Sequence, residues 1–363
     1  MTRQLDKLRH RLERSAEESA DLRKRLAANR RHTRSIRPDE RVLEQVLPLR
    51  HAALVASNHD GRAAREAAFI ARSAAYRNAL ATATTGPPAD PGSRTPDPDD
   101  PLRVTIGGLS WWVPHASDEA GGVVKHLAHD GRLPLREILD ARELAIGRAM
   151  IDIGANVGTT SIPRVVLGDF SYVYAAEPDL ANYDCLVRNI VSNQLRGLVL
   201  PDRMAIGDTE GEMTMRVQAS GTHHLVADAS DVAGVEQVTV PCLTLDAWID
   251  RMGIDLSEVA FIKSDTQGWD ARVLAGAARV LARKHIAWQI EFSPAMLQRA
   301  GWTVDEVFGL LRQHFTHFID LRGDEGVRAR RVSELHEALA YVVRGDRRYT
   351  NVLLYSSATT NAT

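Results

Sequence analysis

The run Met150-Ile-Asp-Ile-Gly-Ala-Asn-Val-Gly158 restricts this chain more than any other stretch. A short apolar strand reaches Asp152, then two glycines, Gly154 and Gly158, bracket Ala155 and Asn156. Glycine-bearing backbone after a strand lets a bulky ligand come close to the main chain, and the following helix offers free N–H groups. Dinucleotide folds use a three-glycine turn there to admit a pyrophosphate. Asp152 instead sets a carboxylate at the strand end, which repels phosphates and attracts a cationic amine.

One βαβ unit further on, Tyr172-Val-Tyr-Ala-Ala-Glu-Pro178 repeats the pattern. An apolar strand closes on Glu177, at the position where ribose hydroxyls are gripped. The amine on S-adenosylmethionine is one cation of the kind that Asp152 attracts.

The flanking texture sets the frame. Strand-like segments follow at 198–201, 259–263, 286–291, 317–321 and 351–355, with helices at about 135–146, 181–193, 269–283, 294–300 and 304–313. This alternation predicts an α/β fold, a Rossmann-like, doubly wound and mainly parallel sheet. Residues 102–114 read as a strand or hairpin with Trp111 and Trp112. The rhythm breaks over about 212–250, where 213–217 and 237–240 can pair as an inserted hairpin around a polar loop. The predicted domain therefore runs from 102 to 358, with a tail at 359–363.

Residues 84–101 are rich in Gly, Pro, Asp and Ser and read as a linker. Residues 1–83 read as an α-helical N-terminal arm. Leu5, Leu8, Leu12, Leu22 and Leu26 form a stripe, interrupted by Ser15 and Ser19, through which a short coiled coil and a homodimer are expected. The arm holds 18 Lys and Arg against 10 Asp and Glu, leaving 27 against 37 elsewhere. A basic arm of this kind is usually a solvated helix, and the acidic remainder argues against a nucleic-acid partner. Two cysteines, Cys185 and Cys242, have neither metal-type nor disulfide-framework spacing. With no signal-like start and no apolar run of about 18 residues, the expected location is cytoplasmic, without a membrane span.

In an open α/β sheet the ligand lies beyond the carboxyl ends of the strands. Besides Asp152 and Glu177, two further strands end in acids there: Phe261-Ile-Lys-Ser-Asp-Thr-Gln-Gly268 and Ala287-Trp-Gln-Ile-Glu291. Asp265 and Glu291 are the candidate bases, each with helix capping as the alternative role. His223 and His224, in the inserted loop, are candidate bases too, or partners of Asp265 around a divalent metal ion. Gln267 and Trp269 adjoin the same rim and are candidate substrate contacts.

Six motifs in order, Asp152–Gly158, Ala176-Glu-Pro178, Met204–Asp208, Val240–Asp246, Ile262–Gly268 and Leu274–Ala277, resemble those of the FkbM-type methyltransferases, from about residue 147 to 355. Ser264 and Asp270 depart from the commonest form, which has an apolar residue and Glu. The resemblance implies a class I, S-adenosylmethionine-dependent O-methyltransferase acting on a hydroxyl of a sugar, glycolipid, polysaccharide or polyketide-type product. It also implies cofactor contacts at Asp152, at the backbone of Gly154, Ala155, Asn156 and Gly158, at Glu177 and Pro178, and at Met204 and Ala205 beside the adenine. An NAD-dependent oxidoreductase and a non-catalytic scaffold are the rival readings. The missing three-glycine turn counts against the first, and intact strand-end acids count against the second.

Overall fold

The computed structural model describes residues 101–106, 109–114, 135–140, 148–216, 224–225, 237–322 and 328–357. The expected arm, linker and tail lie outside them, as does His223.

A hairpin opens the described chain: β1 (Leu102–Ile106) pairs antiparallel with β2 (Leu109–Val113). After α1 (Leu135–Asp140) the strands and helices alternate: β3 (Ala149–Ile153), α2 (Ser161–Val166), β4 (Tyr172–Ala176), α3 (Leu180–Ser192) and β5 (Val199–Asp202). An inserted region supplies β6 (Ala205–Gly207), β7 (Gly211–Arg216), β8 (His224–Leu225) and β9 (Gln237–Thr244). Alternation resumes with α4 (Leu245–Met252), β10 (Val259–Ser264), α5 (Asp270–Ala275), α6 (Ala278–Leu281), β11 (Ala287–Phe292), α7 (Pro294–Arg299) and α8 (Val304–His314). The described chain closes with β12 (His317–Asp320), β13 (Ala329–Arg331), α9 (Leu335–Ala338), α10 (Ala340–Val343) and β14 (Thr350–Tyr355).

The main sheet runs β13-β12-β14-β11-β10-β3-β4-β5. Strands β5, β4, β3, β10 and β11 are parallel, while β14 lies antiparallel between β11 and β12. Every residue of β3, β10, β11 and β14 is buried. That is why these segments are nearly continuous apolar runs: a sheet with both faces covered leaves no polar side.

Alternation along each strand sorts the core into two layers. Ile151, Ile153, Ile262, Trp288 and Ile290 face one cluster, shared with α4, α5 and α8. Met150, Val173, Phe261 and Leu353 face the other, shared with α2, α3 and the hairpin residues Leu109, Trp111 and Val113. The insertion forms its own four-stranded sheet, β6-β9-β7-β8, in which β7 and β9 are the expected hairpin.

The helix expected over 269–283 is two helices. The break falls at Gly276, where a side-chain carbon would stand 1.9 Å from the Gly207 carbonyl oxygen. The backbone of β6 passes so close there that only glycine fits. Helix α4 was not anticipated, although Thr244 caps its first turn by accepting from the Ala247 N–H and Gly253 ends it at φ 64°. Among the described residues no helix is long and apolar enough to cross a membrane.

Candidate active site

Parallel pairing of β4, β3, β10 and β11 brings the carboxyl ends of all four strands to one rim. A cleft opens there. It is lined by Gly154, Asn156, Glu177, Pro178, Met204, Ala205, Asp265 and Gln267 among the residues expected from sequence.

The turn after β3 is held in left-handed backbone at Gly154 (φ 74°), Asn156 (φ 52°) and Gly158 (φ 92°). The glycines answer first to packing. A side-chain carbon on Gly154 would meet the Asp265 carbonyl oxygen at 2.1 Å, and one on Gly158 would meet Leu186 at 2.8 Å. Ala155 is buried and, like Gly158, does not line the cleft. They shape the turn.

Glu177 joins the two boxes. Its carboxylate accepts the Asn156 N–H at 2.8 Å and the Asp179 N–H at 3.0 Å, one on each oxygen. Burial pushes this carboxyl up to about 7, against the lowering effect of the Asp179 and Asn156 N–H groups. The Asn182 side chain acts on the same carboxyl, whose remaining acceptor capacity suits a hydroxyl donor. The apolar stretch Met204-Ala205-Ile206 walls the same cleft and suits a flat heterocycle.

Asp152 is set back from the cleft. It is wholly buried and its oxygens are occupied by Ser161 Oγ at 2.5 Å and Lys263 Nζ at 3.2 Å. A contact of Asp152 with an amine in the cleft, expected either directly or through water, would have to pass these two partners. The side chain that reaches the cleft from this row is Lys263, paired in register with Asp152 across β3 and β10. Lys263 also lies 3.6 Å from Asp265. Sequence reasoning assigned Lys263 nothing, yet a lysine inside Val259-Ala-Phe-Ile-Lys-Ser264 must find acids, because a buried ammonium is not stable alone.

Asp265 lines the cleft, and Gln267 (φ 56°) lies beside it. Gln267 Nε2 donates to Asp265 at 3.3 Å and to Glu291 at 3.4 Å, so the two candidate bases share one amide. Glu291 is buried, and its carboxyl is raised well above the ordinary range by desolvation and by the charges of Asp265 and Asp270.

The two departures from the family's commonest form meet each other. Ser264 Oγ donates to Asp270 Oδ1 at 2.6 Å, so the shorter acid finds its partner in the serine that replaces an apolar residue. Desolvation raises Asp270 to about 6, opposed by this same bond.

Trp269 is 2% exposed and packs with Ala205, Met215, Val240 and Cys242 while Arg272 lies 4.6 Å from its ring. The expected substrate contact is corrected to a packing role, since the indole is enclosed before any ligand arrives. His224 sits on β8 opposite Arg216, next to the pairing of Leu225 with the cleft-lining Met215. Its side chain, like the whole of His223, lies outside what is described. Among the described residues no three His, Cys, Asp or Glu side chains are grouped to hold a metal ion.

A doubly wound sheet ordered β5-β4-β3-β10-β11-β14-β12 with β14 reversed, a glycine-bearing turn after the central strand and an acid ending the next define a class I methyltransferase. Residues 152–318 match the model of the methyltransferase FkbM domain, a family whose cofactor is S-adenosylmethionine. A comparison with curated proteins returns no match. Among solved structures the chain is similar to P. horikoshii TYW2 in complex with MeSAdo, at 12% identity and TM-score 0.33, with 70% of each chain covered. It is similar to precorrin-6y C5,15-methyltransferase from Geobacter metallireducens at 12% identity and TM-score 0.31, covering 62% of this chain and 89% of that one. M. jannaschii TYW2 in complex with AdoMet gives 11% identity and TM-score 0.30, with 72% and 86% covered.

Proposed function

We propose that this domain methylates a hydroxyl oxygen on a neutral acceptor, a sugar, glycolipid, polysaccharide or polyketide-type product. In this reading Glu177 holds the ribose hydroxyls of the cofactor, and Met204 and Ala205 flank its adenine. The turn 154–158 passes beside it, and Lys263 meets its carboxylate. Bound S-adenosylmethionine supplies a methyl group already activated by a sulfonium.

The protein has two tasks left: to align the acceptor oxygen and to take its proton. The observation that carries the proposal is Asp265, a carboxylate on the cleft wall, held between the Lys263 ammonium and the Gln267 amide. A carboxylate in that place is within reach of an acceptor hydroxyl entering the cleft. Glu291, buried and raised, favours the protonated form and serves to hold Gln267. A hydroxyl acceptor is what such a carboxylate is for, because an alcohol attacks poorly until its proton is removed.

The test combines cell extracts, purified protein and isotopically labelled methyl donor, with labelled products read by mass spectrometry. Label in a methyl ether is the expected outcome; label only on nitrogen, carbon or RNA would overturn the reading. Asp265→Asn should lower turnover by about 10²–10⁴-fold, the usual worth of a general base, while S-adenosylhomocysteine affinity stays unchanged.

A further inference from the structure

The hairpin β1–β2 stands outside the span that matches the family model, yet it is tied to the cofactor turn through one side chain. We infer that Asn189 is a positioning residue for cofactor binding, which braces the turn 154–158 against this hairpin.

Asn189 lies within α3 and is fully buried. Its Oδ1 accepts the Trp112 N–H, and its Nδ2 donates to the Trp112 carbonyl at 3.0 Å and to the Val157 carbonyl at 2.8 Å. Both amide protons and one acceptor site are thus committed to backbone. Val157 is held on its other side as well, because its N–H goes to Asn156 Oδ1 at 2.6 Å. The N–H of Asn156 in turn goes to Glu177. An unbroken series of hydrogen bonds therefore leads from Trp112 through Asn189, Val157 and Asn156 to the carboxylate that faces the cleft. It fixes a turn whose left-handed backbone at Asn156 is costly for a residue with a side chain.

One helical turn on, Asn193 repeats half of the arrangement. It accepts the Ser110 N–H at 2.9 Å and donates to the Ser110 carbonyl at 2.7 Å. The spacing has a simple cause: four helical residues rise about 6 Å, close to the ~6.7 Å spanned by two strand residues. Asn189 and Asn193 can therefore grip alternate residues of β2. The second donor of Asn193 goes to the Asn189 carbonyl at 2.8 Å and not to the turn. Two asparagines dock the same strand; one of them reaches the cofactor side.

That difference supplies the test, on the full chain. S-adenosylhomocysteine affinity by calorimetry, stability in urea without ligand, and hydrogen exchange at the amides of 154–158 are compared for Asn189→Ala, Asn189→Asp and Asn193→Ala. Asn189→Asp keeps an acceptor for the Trp112 N–H but turns an oxygen toward the Val157 carbonyl, so it decides the matter if the alanine variant does not fold. Both Asn189 variants should weaken S-adenosylhomocysteine by about tenfold, within the usual range of coupling between sites, and speed exchange at 154–158. Asn193→Ala should lower stability while leaving affinity within about twofold of wild type. Equal affinity changes at the two positions, or none at Asn189, would overturn the inference. The readout needs only the cofactor, so its failure would leave the hydroxyl reading untouched.

Discussion

Burial holds the Glu177 carboxyl at about 7, so over the acidic range the folded protein keeps a proton that the unfolded chain has already lost. The group's contribution is therefore most favourable below its ordinary 4.5 and declines as pH rises, levelling off above about 7. Ligand binding runs the other way, because hydroxyl donors favour the ionised acid. S-adenosylhomocysteine affinity should rise between pH 6 and pH 8, with proton release visible as buffer-dependent heat, and Glu177→Gln should flatten both. An affinity independent of pH in the wild type would refute the assignment of the ribose to this residue. The Ser264–Asp270 bond makes a second prediction at this scale. Ser264→Ala and Asp270→Glu, tested singly and together by urea unfolding, should show a coupling of about 0.5–3 kcal/mol, since each acts on the other's partner. Additive effects would mean the two departures are unrelated.

At the level of elements, most of what positions the site could be read from the chain. The central strands are legible because a doubly covered strand must be a continuous apolar run, and their terminal acids interrupt those runs visibly. The β7–β9 pairing was legible as well. What escaped depends on contacts distant in sequence. The need for glycine at 276 is set by the backbone of Gly207, and the pairing of Asp152 behind the cleft is set by Lys263, 111 residues away. Trp269 adjoins the rim in sequence but is enclosed by neighbours from β7 and β9 that are remote in the chain. The glycines carry the same lesson: Gly154 serves strand-end packing before it serves a ligand. Gly168 provides the comparison, with φ 80° beside 74° at Gly154 but nothing within 4 Å of an added side-chain carbon. Gly168→Ala should cost about 1 kcal/mol for backbone strain alone, whereas Gly154→Ala should cost clearly more. Equal costs in urea unfolding would show that the β3 and β10 ends can separate freely.

Among the described residues, the two layers of core are built from the hairpin and the alternating region, all at 109 or beyond. We therefore expect a chain lacking residues 1–95 to fold and to bind S-adenosylhomocysteine as the full chain does; insoluble protein would show that the arm is part of the core. The reversed strand β14 has an effect on synthesis. Both of its neighbours, β11 and β12, are made before it and do not pair with each other. Until β14 emerges, each leaves the ribosome with an unpaired rim of amides and carbonyls, the kind of surface that recruits foreign strands. Released chains that end before Thr350 should therefore depend on chaperones, and chains that include the six residues of β14 should lose that dependence.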